Sequence, residues 1–234
     1  MDHTDREARV AEIAALDQPV RRDLYALLVA RDDWVSRDDA VTALRLPRSV
    51  AAFHLDKLAE AGLVEVRFER PPDRGGPGAG RPAKLYRRST REIVVSLPDR
   101  RYDLAAALLA DAISEATATG LPAQAALAAA AGRTGRDMGA AVRAEGSTTD
   151  SAEATRAAAV RELQRLGYEP HERGGDVVLA NCPFHRLAER HRSLVCGMNL
   201  DLLSGLTDGI GAAHLLVPRL DPAADMCCVR LEIT

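Results

Sequence analysis

The feature that most constrains the fold is a stretch in which a helical pattern runs directly into a hairpin pattern. Residues 48–61 carry an apolar stripe at helical spacing, formed by Ala51, Leu55 and Leu58. Gly62 follows, at the position where helices commonly end. In the next residues, LVEVRFER, the apolar side chains of Val64, Val66 and Phe68 alternate with polar ones, as in a strand. This stretch therefore predicts a helix followed by a β-hairpin.

Two further helices are predicted before this stretch. Residues 18–31 repeat apolar side chains at helical spacing, at Val20, Leu24, Leu27 and Leu28. Ser36 is a good N-cap for a short second helix, with acidic residues in its first turn, and Leu46-Pro47 ends that helix. The order helix, helix, turn, helix, hairpin is that of a winged helix-turn-helix, which we place at residues 1–90.

A recognition helix needs one apolar face for docking and short or basic side chains on the other face, which enters the major groove. The last helix of the predicted motif meets both needs, and its candidate DNA contacts are Arg48, Ser49, Ala52, Phe53, His54 and Lys57. We expect Ser49 and His54 to bond base edges or phosphates. Ala52 and Phe53 are placed to touch thymine methyls, and the two cations neutralise phosphates.

The hairpin tip, PPDRGGPGAGRP, cannot pack a core and reads as an exposed wing. Arg74, Arg81 and Lys84 are its candidate DNA contacts. Between Arg45 and Arg91 the chain holds 11 Lys and Arg against 5 Asp and Glu, although the net charge of the whole protein is −3. The coincidence of motif, hairpin and basic segment favours DNA binding over the alternative of a solvated loop beside an ordinary helix.

Two sequence stretches carry a family resemblance. SVAAFHLDKLAEAGLVEVRFER and the later GRPAKLYRRS resemble the winged-helix repressors of the broad ArsR type. The GRPAKLY end of the hairpin resembles, more specifically, the SufR-type iron–sulfur regulators. The resemblance is strong over residues 18–89 and looser in the cysteine-containing region, and it implies a transcriptional repressor.

Residues 91–166 are alanine-rich and predict three helices. The first begins near Pro98, with Leu104, Ala107, Leu108 and Ile113 on its apolar side. The second spans residues 121–143 and contains Gly132, Gly135 and Gly139, which indicate close approach of another helix, either within the chain or across a dimer. The third spans residues 151–166. Because winged-helix repressors bind two half-sites, we expect a homodimer and assign dimerisation to this region.

Every cysteine lies in residues 167–234, which alternate short strands with a helix and predict an α+β sensor domain. The candidate metal ligands are Cys182, His185, Cys196, Cys227 and Cys228. Cys182 and His185 form a C-x-x-H pair at a turn, a spacing that lets two side chains meet at one metal. Cys227 and Cys228 are adjacent in a predicted strand, so their side chains face opposite ways and only one should easily reach a shared site.

These residues leave the identity of the cofactor open, because they suit either zinc or an iron–sulfur cluster. The resemblance to SufR-type regulators implies a cluster held by Cys182, Cys196 and one of Cys227 and Cys228. This chain departs from that pattern by having Phe184-His185 after Cys-Pro and a cysteine pair near its end. The alternatives are buried structural cysteines, which are common, and a redox-active thiol.

Together these patterns predict a mainly α fold with small β elements and the function of a DNA-binding regulator, controlled by a metal or cluster at the C-terminal cysteines. No apolar run has the roughly 18 residues of a membrane span, and no signal peptide pattern is present, so we expect a cytoplasmic protein with reduced thiols. The alternatives are a regulator that senses an organic ligand or thiol oxidation, and a thiol oxidoreductase. The sequence contains no C-x-x-C, G-x-S-x-G, P-loop or H-E-x-x-H motif, so we expect no enzyme.

Overall fold

The structure is a computed structural model that describes residues 3–69, 82–146, 151–223 and 226–234. It divides into two compact units, His3–Val95 and Ser96–Thr234. The fold is mainly helical with two small antiparallel sheets, so the predicted fold class is confirmed. Within the described ranges, no helix combines the length and apolar character needed to span a membrane.

The N-terminal unit follows the predicted order of a winged helix-turn-helix. Its elements are α1 (His3–Ala14), a short 3-10 turn (Ala15–Asp17), α2 (Pro19–Ala30), β1 (Val35–Ser36), α3 (Arg37–Leu44), α4 (Arg48–Glu60), β2 (Val64–Glu69) and β3 (Ala83–Arg88). The three strands form an antiparallel sheet in the order β1-β3-β2, in which Val66 pairs with Tyr86. Gly62 adopts φ +68° between α4 and β2, a backbone conformation that favours glycine.

The start of α3 is set by a reciprocal capping box. The Ser36 hydroxyl accepts a hydrogen bond from the Asp39 amide at 3.1 Å, and the Asp39 carboxylate accepts one from the Ser36 amide at 2.9 Å. Two backbone amides at the start of the helix thereby have hydrogen-bond acceptors at the point where the chain leaves β1. The predicted N-cap role of Ser36 is confirmed.

The core of the N-terminal unit lies where α2, α4 and the sheet meet. Its most enclosed large side chains are those of Leu24, Leu28, Leu55, Leu58 and Tyr86. Two of them belong to the stripe predicted for α4, which therefore faces inward. The opposite face of α4 lies at the surface.

The C-terminal unit combines helices with a four-stranded antiparallel sheet. Its elements are α5 (Tyr102–Thr119), α6 (Ala123–Ala144), α7 (Ala152–Arg165), β4 (Pro170–Arg173), β5 (Asp176–Leu179), α8 (His185–Arg190), α9 (Arg192–Ile210), β6 (Leu216–Leu220) and β7 (Val229–Ile233). The strand order is β4-β5-β7-β6. One hydrophobic core contains residues from α5, α6, α7, α9 and the sheet. Residues 91–166 and 167–234, which we predicted as separate regions, thus share a core.

The glycine-rich face of α6 packs within the chain. A Cβ atom on Gly135 would overlap the carbonyl oxygen of Leu202 and lie 2.8 Å from the amide nitrogen of Leu206. Gly205 and Gly209 of α9 are equally tight against the backbone of α6. Of the two readings of these glycines, close approach within the chain is the one found, so this face is occupied and does not form a dimer contact.

Ile113 and Phe68 lie outside the core, although Ile113 was expected on the apolar side of its helix. Ile113 of α5 is 63% exposed because the buried side of α5 is formed by Leu104, Ala105, Leu108 and Ala112. Phe68 is 60% exposed because β2 runs past the edge of the core after Val66, which still packs against it.

Candidate nucleic-acid interface and cysteine site

The exposed face of α4 carries most of the predicted DNA contacts. Arg48, Ser49, Phe53 and Lys57 are exposed, while Ala52 and His54 are half-buried. The Phe53 side chain is 55% exposed. The Nζ atom of Lys57 lies 5.9 Å from the centre of the Phe53 ring. The helix therefore presents one aromatic ring and two cations on the side away from the core.

His54 is turned partly toward the protein. Its Nδ1 atom is buried and has no hydrogen-bond partner in the described residues. Burial and the nearby cation of Arg21 lower the pKa of His54, which favours the neutral imidazole. The side chain is thus less available to DNA than its position in the sequence suggests.

The two cations of α4 are held in surface ion pairs. Arg48 Nε lies 3.3 Å from Asp38 Oδ1, and Lys57 Nζ lies 2.6 Å from Glu60 Oε2. Pairs this exposed stabilise a fold by about 1 kcal/mol or less. Both cations can therefore exchange their carboxylate for a phosphate at small cost.

Lys84 has different surroundings. Its Nζ atom donates to Asp56 Oδ1 at 2.7 Å, and its side chain is only 24% exposed. The other two wing residues that we predicted as DNA contacts, Arg74 and Arg81, lie outside the described residues.

Sequence reasoning missed Phe68 as a member of this surface. The Phe68 ring is exposed at the described end of β2, 6.0 Å from the Nζ atom of Lys84. The alternation of apolar residues in β2 indicates a strand, but it does not show where that strand passes the edge of the core. Trp34 lies elsewhere on the sheet, where the guanidinium groups of Arg67 and Arg87 are each 4.7 Å from its ring.

The four cysteines are brought together in two pairs. Cys196 of α9 and Cys228, just before β7, are joined by a disulfide with a Cα–Cα distance of 6.2 Å. Cys182 and Cys227 are free and buried, and each thiol shifts the pKa of the other. The two adjacent cysteines have different partners, and both precede the last strand instead of lying in it. The expectation that all thiols are reduced does not hold here, because α9 and the start of β7 pack at a distance that suits a disulfide.

The free pair belongs to a buried polar chain. The Asn199 side chain donates to Cys227 Sγ at 3.2 Å and accepts from the Tyr168 hydroxyl. The hydrogen bond from Cys227, the Phe184 amide and the cation of Arg100 lower the pKa of Cys182 against the effect of burial. The pKa of Cys227 is raised, first by its hydrogen bond to Cys182 and then by burial. Sequence reasoning missed Asn199, although an asparagine inside an apolar helix was a visible signal.

His185 does not join the cysteines. Its side chain is exposed, and Nε2 lies 3.3 Å from Glu189 Oε1 within α8. In the ranges that the structure describes, no three His, Cys, Asp or Glu side chains are arranged to hold a metal ion. The five predicted metal ligands thus fall into a disulfide, a thiol pair and a surface imidazole.

The loop that contains Cys182 holds the first residues of the C-terminal unit. The Asn181 side chain donates to the carbonyl oxygen of Asp99 at 3.0 Å, and the Arg101 amide donates to the Pro183 carbonyl at 3.1 Å. Arg100 donates to the Asn181 side chain and, at 3.4 Å, to the Cys182 carbonyl oxygen. The segment 96–101, which follows the N-terminal unit directly, is therefore bound to the residues on both sides of a free cysteine.

The comparisons with known proteins give a match in the N-terminal unit. A family model described as a helix-turn-helix domain matches residues 16–67, which include α2, α3 and α4. No curated protein and no solved structure matches the chain. The match supports a helix-turn-helix regulator that binds DNA.

Proposed function

We propose that this protein is a transcriptional regulator that recognises a specific duplex DNA operator with the exposed face of α4, and that the wing contacts the DNA beside it. The observation that carries this proposal is the combination on one helix of an inward apolar stripe and an outward face bearing Arg48, Ser49, Phe53 and Lys57. Such a helix can enter the major groove while its other face stays docked on the domain. The role is that of a binding protein, without catalysis.

The proposal includes a homodimer. Two copies related by a two-fold axis match a palindromic operator with half-sites one helical turn apart. The glycine face of α6 is filled by α9, so the dimer contact has to use another surface of the C-terminal unit. Ile113 and Leu121 are exposed apolar side chains in that unit and are candidates for this contact.

We further propose that operator affinity is controlled at the C-terminal cysteines. The supporting observation is the set of hydrogen bonds that ties segment 96–101 to Asn181, Cys182 and Pro183. A chemical change at Cys182 moves the loop that holds this segment, and the segment leads straight into the DNA-binding unit. The size of the effect on operator affinity is set by the difference in DNA affinity between the protein with the changed cysteine site and the protein with the unchanged site.

A metal ion or iron–sulfur cluster is one candidate for the chemistry of this control. Four cysteine sulfurs are soft donors of the kind that zinc and iron–sulfur clusters take. The arrangement described here does not fit either group, because Cys196 and Cys228 are bonded to each other and His185 points to Glu189. A metal or cluster would need the reduced form of that disulfide.

Thiol oxidation is the second candidate, and a specific observation favours it. One disulfide is present, and two further buried thiols, Cys182 and Cys227, are close enough to shift each other's pKa. An external oxidant that accepts two electrons and two protons would join this second pair, and an external thiol reductant would open the first, without a bound metal or cluster. An organic ligand that leaves the cysteines unchanged is the remaining alternative.

DNA recognition is tested by selecting duplexes from a random pool with the full chain. The expected result is enrichment of a two-fold symmetric motif, together with a dimer in analytical ultracentrifugation. Specific affinities of this class lie about 10³-fold or more above non-specific binding. Absence of any enriched motif would overturn the proposed function.

Cysteine control is tested on protein purified without oxygen, by counting free thiols, iron, zinc and acid-labile sulfide in the same sample. The affinity for the selected duplex is then measured before and after treatment with dithiothreitol, and again after oxidation. Affinity that follows iron and sulfide content supports a cluster, and affinity that follows zinc supports a zinc site. Affinity that follows the thiol count alone supports oxidation. Identical affinity in every state contradicts cysteine control and favours an organic ligand.

A further inference from the structure

Asp56 is the one acidic side chain in the middle of the DNA-facing surface that we assign to α4. Residues three and four apart on a helix are neighbours, so Asp56 follows Phe53, which in turn follows Ser49, along one side of the helix. A carboxylate in this position repels phosphate, so its presence in a DNA-binding face calls for a physical reason.

The carboxylate of Asp56 is surrounded by donors from two other elements. Arg37, at the start of α3, donates to Oδ1 at 3.0 Å and to Oδ2 at 2.7 Å. From β3, Lys84 and the Tyr86 hydroxyl donate to Oδ1 at 2.7 and 2.6 Å. Arg37 also donates to the Tyr86 hydroxyl at 2.9 Å, which closes the network. We call Arg37, Asp56, Lys84 and Tyr86 the Asp56 network.

The network leaves Asp56 little capacity for a base. Oδ1 already accepts three hydrogen bonds, and Oδ2 accepts one from a guanidinium group. Direct acceptance from a cytosine amine, which a free carboxylate performs in a major groove, would have to displace one of these donors. The geometry instead suits a residue that orients α4 against α3 and the wing strand.

The network also holds two cations away from the solvent. Two cations, Arg37 and Lys84, share one carboxylate, and the side chains of both are mostly covered, at 30% and 24% exposure. By contrast, the cations of α4 that pair with Asp38 and Glu60 are 73% and 45% exposed and can turn to a phosphate. Lys84 is thus held at the base of the wing and is not presented to DNA.

We propose that Asp56 is a positioning and specificity-determining residue, which fixes the recognition helix against the wing and withholds the charge of Lys84 from non-specific phosphate contact. The inference rests on the proposed DNA-binding function. Withholding a cation weakens binding to every sequence alike, whereas correct placement of α4 strengthens binding only to the operator. The second effect raises the ratio of specific to non-specific affinity, and the first keeps the affinity for non-specific DNA low.

The test compares the full-length wild type with D56N, K84M and the double variant D56N/K84M. Affinities are measured over a series of salt concentrations for the selected duplex and for a scrambled duplex. For D56N we expect tighter binding to the scrambled duplex, a salt slope steeper by about one phosphate contact, and weaker binding to the selected duplex. In the double variant, the gain on the scrambled duplex should disappear, because the released cation is absent.

K84M alone keeps the inference testable if D56N does not fold. If Lys84 is withheld from DNA in the wild type, K84M should bind the scrambled duplex with an unchanged salt slope. A slope shallower than that of the wild type by about one phosphate contact would overturn the inference. A parallel loss of affinity for both duplexes in folded D56N would also overturn it, since that is the result of a merely structural role. If the wild type itself does not discriminate between the duplexes, the proposed function fails, and the failure is distinguishable from that of the inference.

Discussion

Gly135 of α6 lies directly against the main-chain carbonyl of Leu202 in α9, so the two helices touch backbone to backbone. A methyl group at this position has no side chain to displace, because the atoms it meets are all main-chain atoms. We expect Gly135→Ala to lower the free energy of unfolding by about 3 kcal/mol, at the upper end of the range for overpacking. Urea denaturation followed by far-ultraviolet circular dichroism measures the loss.

The same helices offer two matched controls. A Cβ atom on Gly132 meets only the end of the Arg136 side chain at 3.6 Å and a carbonyl oxygen at 3.9 Å, and one on Gly197 meets nothing within 4 Å. Gly132→Ala should be tolerated, and Gly197→Ala should gain up to about 1 kcal/mol from helix propensity. Equal stability of the Gly135 and Gly132 variants would contradict the described packing.

The capping box of α3 gives a second stability prediction. Ser36→Ala removes the side-chain acceptor of the Asp39 amide, and we expect a loss of about 1 kcal/mol. Thr42→Ala is the control, because the Thr42 hydroxyl bonds only to the Asp38 carbonyl on the surface of the same helix. A Ser36 variant as stable as the Thr42 variant would show that the cap does not stabilise α3.

The Asp56 network predicts a dependence of stability on acid pH. Burial raises the pKa of Asp56, but the hydrogen bonds from Lys84, Tyr86 and Arg37 outweigh it, and the pKa lies below its ordinary value. A lowered pKa means that the stabilisation is complete above the unfolded value of about 3.9 and is lost as the pH falls through the folded value. Urea midpoints of the wild type should fall over this range more steeply than those of Asp56→Asn.

Glu60→Gln serves as the control in this pH series, since the Glu60 carboxylate pairs with Lys57 at the surface. Its midpoints should follow those of the wild type. Parallel curves for wild type and Asp56→Asn would mean that the Asp56 network does not contribute to the stability of the N-terminal unit.

Asn181 joins the cysteine loop to segment 96–101, and its side chain is buried. Asn181→Ala leaves the carbonyl oxygens of Asp99 and Gly167 without this donor, and we expect a loss of about 1–3 kcal/mol. We also expect the change in operator affinity on thiol reduction to shrink, while the thiol count changes as in the wild type. His185→Ala, at an exposed position in α8, should alter stability by less than about 0.5 kcal/mol. An undiminished response in Asn181→Ala would remove this loop as the route of control.

The N-terminal unit was predictable because its signals are local. The residues of the α4 stripe lie close together in the sequence, as do those of the Ser36 cap. Each pattern determines the helix in which it lies. Ile113 was misplaced because the inward side of an alanine-rich helix depends on where the neighbouring element stops. The pairing of Cys196 with Cys228 and the proximity of Cys182 to Cys227 depend on how α9 and β5 meet the start of β7, which no local pattern records. Lys84 was identified as a cation near DNA, but its partner Asp56 is 28 residues away in the sequence.

The most direct test of DNA recognition is the affinity of Phe53→Ala and Ser49→Ala for the selected duplex, measured by fluorescence anisotropy beside a scrambled duplex. Both side chains lie on the exposed face of α4 and neither belongs to the core, so the variants should fold as the wild type does. We predict that each loses about tenfold in affinity for the selected duplex, a typical cost of one base contact, with little change on the scrambled duplex. Unchanged affinity for the selected duplex in both variants would contradict the claim that this face reads DNA sequence.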